Sequence, residues 1–278
     1  HGLPTVGSEV SDPVSLLQNA SLSVKLHQQA LPLIESGAAG AYGLTAEQLA
    51  LACASHNGAA IHTDRVKAWL AELGLGDDDF RCGPQVPDDD AARFALIRAY
   101  EEPCQVHNNC SGKHAGFLTL AQHLGAGPEY VEPDHPVQKA CLAAFEEVTG
   151  EESPGYGIDG CSAPNFITSL HGMARAMARF ACAEEGKDAR QSAQHRLWQA
   201  MVAHPELVAG EGRACTELMR ACSEPVALKT GAEGFFIAIL PSRQMGIALK
   251  ITDGATRAAE CTIAALLVRL GVLDPGHP

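Results

Sequence analysis

Serine and lysine residues in this sequence have the types and order that an amide-cleaving site needs. Ser55 ends an apolar helical stretch, and Lys229 begins a Lys-Thr-Gly sequence that precedes two strand-like segments. A serine hydroxyl becomes an effective nucleophile only when a base removes its proton, and a lysine can be that base when burial or a second cation lowers its pKa. Lys25, which lies close to Ser21 and Ser23, is such a second cation. We therefore predict a site in which serine–lysine pairs carry out acyl transfer.

Two further segments have the residue types of a metal site. Cys110 and Lys113 lie in a polar stretch before a predicted helix, and Cys161 follows Asp159 in a tight loop. Thiolates suit zinc, and a catalytic zinc site keeps one coordination position open. The two segments together predict a zinc site. A polar helix cap with a buried cysteine would also explain the first segment.

Arg213 lies in the glycine-rich segment 209–215. A guanidinium group binds a carboxylate through two parallel hydrogen bonds, which the α-carboxylate of an amino-acid substrate requires. An arginine on the surface of a helix-start loop is an equally good interpretation.

The elements that must position these residues are mainly helical. Apolar periodicity predicts ten helices, the first five at about 24–35, 45–53, 63–73, 90–100 and 114–124. Five more are predicted at about 136–148, 168–183, 191–203, 216–222 and 255–270. Residues 235–240 and 245–251 are apolar segments on either side of a Pro-Ser-Arg turn, a pattern that predicts an antiparallel hairpin. Helices followed by a hairpin predict an α+β fold, with a helical lobe packed on an antiparallel sheet, in a single catalytic domain spanning 1–278.

The composition excludes several classes of partner. Twenty basic and 33 acidic residues give a net charge of −13, which opposes binding to nucleic acid or to an anionic membrane. The ten cysteines lack the short, regular spacing of a secreted disulfide framework. No segment has the pattern of an export signal or of a membrane span. We expect a cytoplasmic protein.

Six segments, taken in order, resemble the Rhizobium-type L-asparaginases, also called the asparaginase II family. They are residues 32–37, 51–56, 107–114, 159–162, 204–210 and 229–234. The resemblance covers the chain from about Gln29 to the C-terminus, and residues 1–20 match poorly. It implies a fold similar to serine β-lactamases and glutaminases, a homodimer, and hydrolysis of L-asparagine to L-aspartate and ammonia.

The resemblance also assigns residues to roles. Ser55 and Lys229 match one of the family's two Ser–Lys tandems. Lys25 belongs to the other, and Ser23 is its predicted serine with Ser21 as the alternative, because Leu22 stands where the family has serine. Ser23 fits the spacing from Ser55, whereas Ser21 shares a helix face with Lys25.

The remaining site residues implied by the resemblance fall into two groups. A bound Zn²⁺ would be held by Cys110, Lys113 and Cys161, with Asp159 beside it among the catalytic residues. The residues predicted to bind substrate are His56, Asn109 and Arg213.

Two other functions fit parts of the pattern. Lys-Thr-Gly and Ser55-His56-Asn57 are also elements of penicillin-recognising enzymes, although the serine elements here are only about thirty residues apart. An inactive homologue that binds an amino acid or zinc is the third interpretation, because the first tandem departs from the family pattern.

Overall fold

The computed structural model describes residues 30–277. Ser21, Ser23 and Lys25 lie outside the described residues, so the first predicted tandem has no structural account. Twelve α-helices lie in the described part of the chain. In order they are α1 (Leu31–Glu35), α2 (Ala38–Ala41), α3 (Ala46–Ala52), α4 (Ala60–Glu72), α5 (Asp90–Ala99), α6 (Ser111–His123), α7 (Pro136–Thr149), α8 (Leu170–Ala181), α9 (Ala189–Ala203), α10 (Pro205–Val208), α11 (Ala214–Ala221) and α12 (Thr256–Arg269).

Two small antiparallel sheets accompany the helices. A two-stranded sheet pairs β1 (Tyr156–Ile158) with β2 (Pro164–Phe166). A three-stranded sheet has the order β3 (Ala227–Thr230), β4 (Phe235–Leu240), β5 (Met245–Lys250). Helices with antiparallel sheets make this an α+β protein, as predicted.

The larger sheet lies within the helical body. Every residue of its central strand, β4, is buried, whereas the edge strand β5 is half-buried along most of its length. Helix α8 packs against β4 and β5, α12 packs against the same two strands, and α11 packs against β3. Gly246 of β5 permits the closest approach, because a Cβ atom there would lie 2.2 Å from the backbone nitrogen of Ala178 in α8.

Local signals located most elements correctly. The Thr45–Gln48 capping box forms as predicted, with the Thr45 hydroxyl accepting from the Gln48 N–H and the Gln48 side chain accepting from the Thr45 N–H. The predicted hairpin is β4–β5. Helices α4 and α6 begin three residues before their predicted starts. The small β1–β2 sheet was not predicted.

Two absences complete the description of residues 30–277. None of the ten cysteines, all of which lie in this range, forms a disulfide. No helix there combines the length and the apolarity that a membrane crossing needs.

The contact between α3 and the start of α6 brings the chemical segments together. Gly112, in the first turn of α6, lies so close to α3 that an added Cβ would be 2.4 Å from the carbonyl oxygen of Leu51. Ser55 follows the end of α3, and Cys110 immediately precedes α6. This backbone contact therefore sets the distance between the two predicted parts of the site.

Gly112→Ala is expected to lower the free energy of unfolding by about 2 kcal/mol or more, because the methyl group would collide with backbone that cannot rotate away. Gly116→Ala, one turn later in α6, is the matched control. Its Cβ would meet its nearest neighbour, Leu33 Cδ2, at 3.4 Å. It should change the free energy of unfolding by less than about 1 kcal/mol, since alanine is more favourable in a helix than glycine is. Urea unfolding measures both variants, and equal midpoints would contradict the assigned contact.

Candidate functional site

Ser55 and Lys229 are in direct contact. Lys229 Nζ lies 2.7 Å from Ser55 Oγ and 2.6 Å from the carbonyl oxygen of Thr230. Only 2% of the Lys229 surface is exposed, while Ser55 is half-buried. Strand β3 fixes the lysine, which pairs with Ile237 of β4. A hydroxyl and an amine at this distance can exchange a proton, with either atom as the donor.

The segment that carries Ser55 is held on both sides by backbone hydrogen bonds. The Ser55 N–H donates to the Val208 carbonyl, and the Asn57 N–H donates to the Ala209 carbonyl. On the other side the His56 N–H donates to the Asn109 carbonyl, 3.1 Å away. The hydroxyl of Ser55 is therefore placed by rigid backbone and not by a mobile loop.

His56 connects the serine–lysine pair to the start of α6. Its Nδ1 accepts from the Gly58 N–H, so Nε2 carries the proton and donates to Ser111 Oγ at 3.0 Å. The imidazole of His62 stacks on it, with ring centroids 4.7 Å apart and planes inclined by 8°. Both rings are buried. His56 was predicted to bind substrate, and its side chain in this structure positions Ser111.

The thiol cluster forms at the N-terminus of α6 and the loop between β1 and β2. Lys113 Nζ lies 2.8 Å from Cys161 Sγ and 3.8 Å from Asp159 Oδ2. The thiol and carboxylate atoms of Cys110, Asp159 and Cys161 all lie within 4.8 Å of one another. The four residues predicted at the metal site are thus brought together. Ser162 in the same loop has a φ of 70°, a left-handed conformation that costs a non-glycine residue about 1 kcal/mol.

The ionisable side chains of this cluster strongly affect one another's pKa values. A hydrogen bond with Cys110 is the main reason that the pKa of the Cys161 thiol lies well below its ordinary value, and Lys113 and His114 lower it further against the effect of burial. Burial alone would lower the pKa of Lys113, but the charges of Cys161, Cys110 and Asp159 outweigh it and raise this pKa above its ordinary value. Both directions favour a thiolate on Cys161 facing an ammonium group on Lys113, whose atoms lie 2.8 Å apart.

The donor set of this cluster is of the kind that zinc takes. Zinc takes thiolate sulfur and carboxylate oxygen as ligands, usually four of them in a tetrahedral arrangement. Cys110, Asp159 and Cys161 offer two thiols and a carboxylate whose ligand atoms all lie within 4.8 Å of one another. Lys113 can join them as a ligand only after it loses its proton, which a nearby dication favours.

Sequence reasoning missed the support behind the thiols. Tyr130, fully buried, accepts from the Arg81 N–H at 2.7 Å and lies 2.8 Å from His114 Nδ1. His114 therefore joins Tyr130 to the thiol cluster, because a hydrogen bond with the His114 side chain also lowers the pKa of the Cys161 thiol. His114 is the second histidine of the polar segment 107–114, so the sequence did offer it as a candidate. No pattern pointed to Tyr130, which lies 16 residues further along.

The other two predicted substrate-binding residues lie beside the same segments. The carbonyl oxygen of the Asn109 side chain is 2.7 Å from Cys110 Sγ, within the thiol cluster. Arg213 precedes α11, and its Nη1 lies 3.8 Å from Asp88 Oδ2 with a third of its side chain exposed. Asp89, the next residue, donates its N–H to the Asn57 carbonyl. Arg213 is therefore connected through this loop to the Ser55 segment.

His62 should make stability depend on pH. Burial is the main cause of a pKa below the ordinary value of 6.5, opposed by hydrogen bonds with the Glu206 and Ala59 backbone and by Asp89, while Arg65 adds to it. The unfolded chain therefore takes up a proton at a higher pH than the folded protein does. The free energy of unfolding should fall as the pH falls below about 6.5.

Replacement of His62 by phenylalanine removes this titration and keeps an aromatic ring against His56. The loss of stability between about pH 7.5 and 5.5 should then be smaller than in the wild type. His171→Phe is the control, because His171 is exposed on α8 and should leave the slope unchanged. Urea unfolding at several pH values measures the slopes, and identical slopes for His62→Phe and wild type would contradict this role.

Comparison with known proteins gives the family. No curated protein matches the chain. The family model described as L-asparaginase II matches residues 23–278, which includes the Ser55–Lys229 pair and the whole thiol cluster. A match over nearly the full length, with these residues assembled in space, shows that the chain belongs to the L-asparaginase II family.

Proposed function

We propose that the protein hydrolyses L-asparagine to L-aspartate and ammonia by acyl transfer. The observation that carries the proposal is the buried contact of Lys229 Nζ with Ser55 Oγ, at 2.7 Å, in a member of this family. The family suggests the substrate, and the contact supplies a hydroxyl with a base in reach of its proton.

In this mechanism the serine of the first tandem attacks the side-chain amide carbon of asparagine, and Lys25 takes the serine proton. Ser23 is the proposed attacking serine, and Ser21 is the alternative. Ser55 and Lys229 relay a proton to the leaving nitrogen, because the Lys229 amine and the Ser55 hydroxyl form one hydrogen-bonded path. Ammonia leaves, an aspartyl ester remains on the serine, and water then releases aspartate.

Substrate binding would use charge at the edge of the site. Arg213 offers its guanidinium to the α-carboxylate, and its contact with Asp88, 3.8 Å long and part-exposed, is weak enough to be exchanged for a substrate carboxylate. Asn109 could contribute its side-chain amide, and His56 would act through Ser111. Asp159 would take part through its charge beside Lys113.

A zinc ion forms part of the proposal. Cys110, Lys113 and Cys161 would hold it, with Asp159 beside it as a further oxygen donor. When bound, it would supply a positive charge that holds and orients the substrate. Lys113 and Cys161 would give up their own ion pair in exchange, and His114 would keep Cys161 oriented from behind.

Several broader features are proposed with the function. The fold would be of the serine β-lactamase and glutaminase type, in one domain over the whole chain, and the assembly a homodimer. The substrate would be a small molecule, as the family suggests. The cytoplasmic location stays a prediction.

The test is ammonia release from L-asparagine and, separately, from L-glutamine by the full-length protein supplied with zinc. Asparagine is expected to be the better substrate. Lys229→Ala should lower kcat/KM for asparagine by about 10²–10⁴, which is the usual contribution of a positioned base. Lys229→Arg should lower kcat/KM for asparagine by a similar factor, because arginine keeps the charge but does not release its proton.

Lys139→Ala, which removes an exposed lysine of α7, is the control and should retain full activity. Near-normal turnover by Lys229→Ala would disprove the Ser55–Lys229 relay. Cleavage of nitrocefin without ammonia release from asparagine would favour a penicillin-recognising enzyme. Binding of asparagine with no ammonia release at all would favour the inactive binding homologue.

Zinc binding has its own test. Cys161→Ser should weaken zinc binding by more than about 100-fold, since even residues that only support a ligand contribute 10–100-fold. Cys261→Ser, at an exposed cysteine of α12, is the matched control. Metal analysis after dialysis against a chelator measures retained zinc. Equal retention of zinc by Cys161→Ser and Cys261→Ser would contradict the assignment of Cys161 as a zinc ligand.

A further inference from the structure

A cavity of about 480 Å³ lies where the ends of α7 and α8 meet the start of α9. Sites for small molecules usually have volumes of about 300–1,000 Å³. Of its eight lining residues, Val148 is the one with an aliphatic side chain. None of the eight belongs to the candidate active site. The cavity therefore suits a polar ligand that is separate from the proposed reaction.

The charges that line this cavity balance. Arg179 and Arg190 supply two positive charges, and Glu147 and Asp188 supply two negative ones. A simple anion or a simple cation would meet a like charge on one wall. A ligand that carries both signs of charge fits this lining better.

Two of these charged groups are available to such a ligand. Arg179 is exposed and contacts the backbone carbonyl of Glu147, but it forms no ion pair within residues 30–277. The exposed Asp188 carboxylate is held in place by two N–H groups of Gln191, each 2.7 Å away. Arg190, in contrast, is already paired with Glu147 at 3.1 Å. Arg179 and Asp188 are thus the groups that can take a carboxylate and an ammonium group.

An unbonded amide lines the same cavity. The side chain of Gln194 is 3% exposed, and within the described part of the chain its amide forms no hydrogen bond. Buried polar side chains nearly always have a partner in folded proteins. A glutamine amide both donates and accepts, so its natural complement is another amide. This residue points to a ligand with a peptide-like group.

The cavity also contains a reactive atom. Cys182 caps the C-terminus of α8, is exposed, and makes a long hydrogen bond of 3.8 Å from Sγ to the Gln244 carbonyl. Cys261 on α12 is the other exposed cysteine among residues 30–277. An exposed thiol can exchange with a disulfide that reaches it. At Cys182 the groups around the thiol would also bind the incoming molecule.

We propose that Cys182 forms a mixed disulfide with a small zwitterionic thiol, of the amino-acid or short-peptide class, that binds in this cavity. Arg179 would bind its carboxylate, Asp188 its ammonium group and Gln194 its amide.

The step is thiol–disulfide exchange with the disulfide form of that thiol. The Cys182 thiolate attacks one sulfur, the new S–S bond forms, and the original S–S bond breaks. The other half leaves as a thiolate and takes up the proton that Cys182 lost, so no separate oxidant is required.

Arg190 connects this cavity to the first described helix. Its guanidinium pairs with Glu35, the last residue of α1, and with Glu147 of α7. A charged group bound beside Arg190 would therefore act on the ion pairs that join α1, α7 and α9. In the sequence α1 follows the predicted first tandem, so modification at Cys182 is placed to influence that part of the chain.

The test incubates the full-length, zinc-loaded protein with glutathione disulfide and locates each mixed disulfide by peptide mass mapping. Cys182 should react at least about tenfold faster than Cys261 in the same molecule, because the bound disulfide is held beside its sulfur. With uncharged bis(hydroxyethyl) disulfide, the two cysteines should react at similar rates. Cystine is the second zwitterionic reagent, and the reagent with the larger preference for Cys182 identifies whether a peptide or an amino acid fits better.

Arg179→Gln should lower the rate at Cys182 by about tenfold and leave the rate at Cys261 unchanged, since a charged hydrogen bond to the carboxylate is lost. Arg175→Gln is the matched control. Arg175 also contacts the end of α7, at the Thr149 carbonyl 2.8 Å away, but it does not line the cavity. This variant should react as the wild type does.

Equal rates at Cys182 and Cys261 with both zwitterionic reagents would overturn the proposal. A preference for Cys182 that persists with the uncharged disulfide, or that Arg179→Gln leaves intact, would also overturn it, because exposure alone would then explain the reaction. Mass mapping does not depend on turnover, so these outcomes are separate from failure of the asparaginase assay.

Discussion

The approach of α6 to α3 at Gly112 is the constraint on which the candidate site depends. Leu51, whose carbonyl leaves no room for a side chain at Gly112, is four residues from Ser55. Cys110 is two residues from Gly112. Two short stretches of chain, each fixed to a helix end, are therefore held side by side, and the hydrogen bond from the His56 N–H to the Asn109 carbonyl locks them together. Neither the serine–lysine pair nor the thiol cluster could keep its geometry if this contact widened.

Two buried lysines set the electrostatics of the site in different ways. Lys113 is surrounded by groups that can be negative, Cys161 and Asp159 within 4 Å, so its ammonium form is stabilised despite complete burial. Lys229 contacts a hydroxyl and a backbone carbonyl at its amine. A buried lysine beside a hydroxyl suits proton transfer, whereas one held by a thiolate suits structural pairing or exchange with a metal ion. The two lysines thus have separable roles in one small region.

The parts of the molecule that the sequence predicted are those determined locally. The Thr45–Gln48 capping box and the β4–β5 hairpin each depend on residues that are close in the chain, and both form as expected. The residue types suggested the pairing of the Cys110 and Cys161 segments, but the full set with Lys113 and Asp159 came from the family resemblance, because no local rule joins residues some fifty positions apart.

What the sequence did not predict arises from tertiary packing. Tyr130 reaches His114 only because their helix and loop fold onto each other, and His62 stacks on His56 because α4 turns back over the Ser55 segment. The hydrogen bond between His56 and Ser111 was not predicted for the same reason, since it joins two buried side chains 55 residues apart in the sequence. The exposure of α5 could not be anticipated either, since an apolar stripe on a helix ordinarily indicates a face that is packed inside.

The links between these parts have a thermodynamic consequence. His56 bonds through its backbone to Asn109 and through its ring to Ser111, so the serine–lysine pair and the thiol cluster share one rigid segment. The carbonyl of the next residue, Asn57, accepts a hydrogen bond from the N–H of Asp89, the N-cap of α5. A ligand that favours one arrangement of this segment changes the affinity for a second ligand that binds there. The second ligand changes the affinity for the first by the same factor, because binding free energies around a cycle sum to zero. Substrate and metal, bound as proposed, would therefore both act on the backbone of residues 55–57.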